Sequence, residues 1–127
     1  MNVLIINGSP RKKGLISQML DIMREEAEQR GDKVQIVYTN DLSIKPCIGC
    51  MACRSKGKRC ILISTCTTPW PWNIWFKQSR GAIRAMREIC RYSGFRIVST
   101  IERGGTVMHP NLKEKDKEKC RKAIKRI

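Results

Sequence analysis

The sequence is poor in the groups that usually run acid–base chemistry. His109 is its only histidine, and it lies in a loop before Pro110, so it is given no catalytic role. Acidic residues are scarce, 11 against 26 Lys plus Arg. Asp21, Glu25 and Glu28 read as solvated charges on a helix, not as an acid–base pair. No side chain is therefore assigned as catalytic. There is no run of eighteen or more apolar residues, which excludes a hydrophobic membrane span. A secretory signal is also not expected, because Val3 to Ile6 is too short for its apolar region and opens into Gly8-Ser9-Pro10. No internal repeat, low-complexity segment or domain linker is evident. The loop after the first apolar run lacks the Lys-Ser/Thr ending of a P-loop and the three glycines of the dinucleotide fingerprint.

What is present is positive charge and sulfur. The formal charge is +15 over 127 residues, and a hydrophobic content of 41% suits a globular core. Such a balance can signal nucleic acid or an anionic surface. Here the basic residues are spread along the chain, densest from Lys113 to Arg126, which reads as solvated helix faces plus sites for phosphate-bearing ligands; nucleic acid is not the expected partner. Seven cysteines without a secretory signal point to a reducing cytoplasm, where clustered thiols are metal or redox groups.

The periodicity gives an alternating order of elements. Asn2 to Asn7 is an apolar run that predicts a strand buried on both faces. Leu15, Met19, Ile22, Met23 and Ala27 recur at helical spacing, so a helix is expected from Leu15 to about Arg30, with Gly31 at its cap. Val34, Ile36 and Tyr38 mark a second strand and complete a βαβ unit, for which a right-handed parallel crossover is expected. Thr39 to Arg59 has little periodicity. A strand from Cys60 to Cys66, a helix ending near Tyr92, a strand from Phe95 to Ile101 and a last helix after Leu112 follow. This is an α/β protein with a mostly parallel sheet.

Two motifs carry chemistry. Gly8-Ser9-Pro10-Arg11-Lys12-Lys13-Gly14 joins a strand to a helix, where backbone N–H groups at the positive end of the helix dipole suit a phosphate. Ser9 and Ser17 offer hydroxyl donors and Arg11 a charged fork. The second motif is Cys47-x2-Cys50-x2-Cys53-x6-Cys60. Four thiolates in one loop suit a [4Fe–4S] cluster or a zinc ion, and free cysteines lining a pocket or subunit interface are equally compatible. Cys66, Cys90 and Cys120 read as small core residues.

These residues resemble the flavodoxin-like NAD(P)H-dependent FMN reductases. The likeness rests on Gly8-Ser9-Pro10-Arg11 with Gly14, on Pro46-Cys47-Ile48-Gly49-Cys50-Met51-Ala52-Cys53, and on Gly104-Gly105-Thr106. It implies a three-layer sandwich around a parallel sheet, FMN as cofactor, NAD(P)H as electron donor, a small-molecule or protein electron acceptor, and a homodimer or higher homo-oligomer. It places Ser9, Pro10, Arg11, Gly14 and Ser17 around the FMN phosphate, and Thr65, Thr67, Thr68 and Trp70 in the loop that meets the flavin ring. Trp70, Trp72 and Trp75 would stack on the flavin or line a dimer interface. Members often carry Gly-Asn-Thr or Gly-Asn-Ser where this chain has Gly14-Leu15-Ile16, which removes two polar phosphate contacts. The cysteine spacing is similar to that of iron–sulfur flavoproteins, which implies Cys47, Cys50, Cys53 and Cys60 as cluster ligands. A basic four-cysteine module that binds nucleic acid remains as a third alternative.

One segment expected of that fold is missing. Flavodoxin-like sheets have five strands in the order 2-1-3-4-5. Lys56-Gly57-Lys58-Arg59-Cys60 runs directly into what reads as the fourth strand. The sequence thus predicts one flavodoxin-like domain over residues 1–127 with a gap or deletion near 54–61. It also predicts that the strand from Val3 to Ile6 lies beside both Val34 to Tyr38 and Ile61 to Thr65.

Overall fold

The computed structural model describes the chain except for residues 47, 49, 51–56 and 70. In chain order the elements are β1 (Asn2–Asn7), α1 (Leu15–Gln29), β2 (Lys33–Tyr38), β3 (Arg59–Thr65), α2 (Trp72–Trp75), α3 (Gln78–Tyr92), β4 (Arg96–Arg103) and α4 (Glu114–Ile124). A single 3-10 turn, Thr39–Asp41, follows β2. The α/β class and the parallel strand pairs expected from the periodicity are present. The chain divides into two compact units, Met1–Cys47 with Leu112–Lys125 and Ile48–Asn111 with Arg126–Ile127.

In the first unit β1 and β2 pair in parallel, from Asn2 opposite Lys33 to Asn7 opposite Tyr38. Helix α1 makes the crossover. Its Met19, Met23 and Ala27 recur at helical spacing and are buried. Helix α4 packs beside α1 through Cys120, Ala123 and Ile124. The guanidinium of Arg30 donates to the Ile124 carbonyl (3.2 Å) and pairs with Asp32 (2.7 Å). At the start of β2, Lys33 N–H donates to the Met1 carbonyl, and the N-terminal ammonium holds Asp32 at 2.7 Å.

The expectation that β1 is buried on both faces is not met. Strand residues alternate between faces. Val3, Ile5 and Asn7 point into the core, whereas Leu4 and Ile6 are 57% and 62% exposed. In a doubly wound fold helices cover both faces of the sheet. Here the inward face of β1 is covered by α1, and the outward apolar face is left open.

In the second unit β3 and β4 pair in parallel, with a register shift between Cys60 and Ile61 that leaves Val98 as the extra residue of β4. Helix α3 packs on both strands, burying Ser79 and Ile83 against a core that includes Leu62 and Ile101. The expected direct pairing of β1 with β3 is not observed. The described strands form two two-stranded sheets, with β2 as the hydrogen-bonded neighbour of β1 and β4 as that of β3. Each pair is joined by its own helical crossover, the usual route between parallel strands. The gap expected near residues 54–61 falls partly outside the described residues.

Cys120 gives the first unit a pH dependence. Burial, and secondarily the neighbouring Asp116 carboxylate, push its thiol from an ordinary value of 9.0 up to about 11. The thiol stays protonated in the fold where it would ionise in the open chain. Its contribution to stability is complete below pH 9 and is lost as pH rises toward 11. Denaturant titrations between pH 8 and 11 are expected to show this decline, and Cys120→Ala should flatten it; an unchanged slope in that variant would refute the assignment.

Candidate functional site

The loop after β1 is organised by a residue that sequence reasoning passed over. Asn7 closes β1 and is fully buried. Its side-chain amide donates to Ser17 Oγ (2.9 Å), and its Oδ1 accepts from Ser9 N–H (2.9 Å). Ser17 Oγ in turn donates to the Arg11 carbonyl (3.2 Å), which also accepts from Gly14 N–H (3.0 Å). Arg11 N–H donates to Ser9 Oγ (3.3 Å). Asn7 thus joins the end of β1, the loop and the first turn of α1 in one network. Thr39 adds a brace from β2, its hydroxyl donating to the Asn7 carbonyl (3.4 Å). The only sign in the sequence was a polar residue ending an apolar strand.

Gly14 is where the loop meets the helix. A Cβ there would lie 3.2 Å from both the Arg11 carbonyl oxygen and Arg11 Cβ, so a larger residue would require the turn to give by a few tenths of an ångström. Helix α1 begins at this point with no side-chain cap and no acidic residue in its first turn. A helix start leaves backbone N–H groups without intrahelical partners, and here neither a side-chain cap nor an acidic residue in the first turn offsets that positive end. Pro10 and Arg11 are exposed at the loop tip, and the Arg11 guanidinium forms no ion pair among the described residues. Lys12 is occupied nearby, paired with Asp41 (3.0 Å) and 5.5 Å from the Tyr38 ring centre. Of the five residues expected around a phosphate, Ser9, Arg11, Gly14 and Ser17 are joined by contacts in this loop, with Pro10 between them. The Ser17 hydroxyl is turned inward, into the network that shapes the loop.

The second unit places a loop at the carboxyl ends of its strands, where ligands of open parallel sheets sit. Thr65 ends β3, Thr67 is exposed, and the Thr68 hydroxyl contacts Gln78 Oε1 at 2.6 Å. This loop is joined to the glycine turn after β4. Cys66 N–H donates to the Arg103 carbonyl (2.9 Å), Gly105 N–H to the Thr68 carbonyl (2.9 Å), and Thr106 N–H to the Cys66 carbonyl (3.2 Å). Gly104 packs against the loop so closely that a Cβ would come within 2.7 Å of Asn73 Nδ2 and 3.0 Å of the Thr68 carbonyl. Beyond it, Trp72 stacks on Trp75 (5.9 Å) and on Phe76 (6.3 Å), and all three rings are largely exposed. Trp70 lies outside the described residues.

Of the four motif cysteines, Cys47 and Cys53 lie outside the described residues and Cys50 is exposed. Cys60 is the second residue of β3, half-buried, and its thiol contacts the Cys90 sulfur of α3 at 3.8 Å. Burial first, then the Cys90 sulfur, push the Cys60 thiol up to about 11. Among the described residues no group of three or more His, Cys, Asp or Glu side chains is placed to hold a metal.

The chain is 40% identical over 53 residues to an iron–sulfur flavoprotein of Archaeoglobus fulgidus, covering 42% of this chain and 26% of that protein. It is 40% identical over 60 residues to an iron–sulfur flavoprotein of Clostridioides difficile (46% and 27%), and 36% identical over 62 residues to one of Methanocaldococcus jannaschii (46% and 30%). The matched stretch thus spans less than a third of the length of these relatives. No solved structure matches the chain. Residues 1–82, from β1 through the loop after β3 into α3, match the family described as NADPH-dependent FMN reductase, and the chain belongs to that family.

Proposed function

We propose that the chain works as an FMN-dependent oxidoreductase with NAD(P)H as electron donor, and that the loop from Ser9 to Ser17 holds the FMN phosphate. The observation that carries this reading is the start of α1, uncapped and free of acidic residues beneath a loop fixed by Asn7 and Ser17. An anion fits there by charge and by available N–H donors. Bound FMN supplies the redox chemistry, and the protein supplies position and electrostatics. Arg11 offers a guanidinium to the phosphate, Ser9 a hydroxyl at the loop, and Gly14 the close turn. Pro10 fixes the backbone direction before Arg11. Ser17 acts by holding the Arg11 carbonyl. Thr65, Thr67, Thr68 and Trp70 lie in the loop assigned to the flavin ring.

The relatives favour a second reading, an iron–sulfur flavoprotein with Cys47, Cys50 and Cys53 as ligands and Cys60 as the fourth, because three of them carry that name. In both readings the acceptor is a small molecule or a protein, the compartment is the reducing cytoplasm, and the exposed Trp72, Trp75 and Phe76 rings support a homodimer. No described helix is long and apolar enough to cross a membrane. The domain reading is a single flavodoxin-like domain over residues 1–127 with a gap or deletion near residues 54–61, a reading supported by the uncovered outward face of β1.

The test is a flavin titration with an absorption spectrum taken anaerobically. Arg11→Ala is expected to weaken FMN binding by about 1.5–3 kcal/mol through loss of a charge-assisted hydrogen bond. Unchanged affinity would remove Arg11 from the site. A flavin envelope supports the first reading, added broad brown absorbance the second, and a protein that takes up neither chromophore refutes both.

A further inference from the structure

We propose that Cys60 and Cys90 form a reversible dithiol–disulfide pair that locks β3 to α3. Theirs is the sulfur–sulfur contact present among the described cysteines, at 3.8 Å. It lies within a packed interface. Cys60 shares its strand face with Leu62 and Ser64, both buried, because side chains alternate along a strand. Cys90 follows Ile83 by two turns and Ser79 by three on the buried face of α3. The two backbones are thus held opposite each other by the same packing that builds this unit. Cys90 is further fixed at the end of α3, where its carbonyl accepts from Phe95 N–H (2.8 Å).

Closing the bond requires the sulfurs to approach by roughly 1.8 Å, to a disulfide length of about 2.05 Å. Both residues are half-buried, so a small oxidant has partial access. The oxidant is a low-molecular-weight disulfide. One protein thiolate attacks it, forming a mixed disulfide and releasing one small thiol. The second protein sulfur, its proton passed to solvent, displaces the other small thiol. Two protein S–H bonds are lost and one S–S bond is formed, while the small disulfide gains two electrons and two protons. The resulting bridge encloses Thr65, Thr67 and Thr68, so it also clasps the loop assigned to the flavin ring. This inference stands independently of the flavin reading.

The experiment uses the full chain carrying Cys66→Ser, so that the tryptic fragment 60–77 holds one cysteine. Anaerobically purified protein is equilibrated with oxidised glutathione, quenched with an alkylating reagent and mapped by mass spectrometry. The expected product joins fragment 60–77 to fragment 88–91, disappears on reduction, and is absent when Cys90→Ser is added. Independent alkylation of Cys60 and Cys90 would overturn the proposal, as would a bridge from Cys60 to Cys47, Cys50 or Cys53.

Discussion

Replacing Asn7 with alanine is expected to destabilise the protein by about 2–3 kcal/mol and to lower FMN affinity more than tenfold. The substitution removes two hydrogen bonds, one to Ser17 Oγ and one from Ser9 N–H, each worth roughly 0.5–1.5 kcal/mol. Ser17 keeps its own bond to the Arg11 carbonyl, but a cavity is left where the buried Asn7 side chain stood. The loop then has no tie to the end of β1. Chemical denaturation paired with flavin titration measures both effects. Wild-type affinity in the alanine variant would mean that the loop does not hold the cofactor.

Met19→Ala should cost about 2–5 kcal/mol, the range for truncating a buried long apolar side chain. Met19 has no exposed surface and lies on the face of α1 that packs over the strands. The core of the first unit is small, and its remaining buried apolar members are Val3, Ile5, Met23, Ala27, Cys120, Ala123 and Ile124. With total stabilities of about 5–15 kcal/mol, such a loss is large. Met19→Leu keeps the volume and should cost under about 1.5 kcal/mol. The two variants, compared in urea, distinguish a packed core from a loose one: equal midpoints would mean that the site can collapse around the missing atoms.

The regular elements were legible because their periodicity is local. Met19, Met23 and Ala27 announce α1 whatever surrounds them, and Asn2–Asn7 is a strand by composition alone. Three features were not legible. Asn7 ends a strand before a glycine, which reads as a turn residue; its role depends on Ser17, ten positions away. Leu4 and Ile6 look buried because they are apolar, but burial depends on which elements reach that face. Cys60 reads in the sequence as the last member of a cysteine motif, and nothing there signals its contact with Cys90, thirty residues further on. In each case the deciding contact is tertiary. The loop after β1 was legible for the opposite reason, since Gly14, Arg11 and Ser9 make most of its contacts within six residues.

The open side of β1 has a colloidal consequence. Leu4 and Ile6 present an apolar strip to solvent on a chain of formal charge +15. In dilute buffer, mutual repulsion keeps two such strips apart. Electrostatic reach shrinks from about 10 Å at 0.1 M salt to about 3 Å at 1 M. Salt therefore removes the barrier while leaving the attraction between apolar surfaces in place, and sulfate strengthens that attraction. Preparations of this protein should scatter more light as ionic strength rises, the opposite of a protein whose self-association is held by ion pairs.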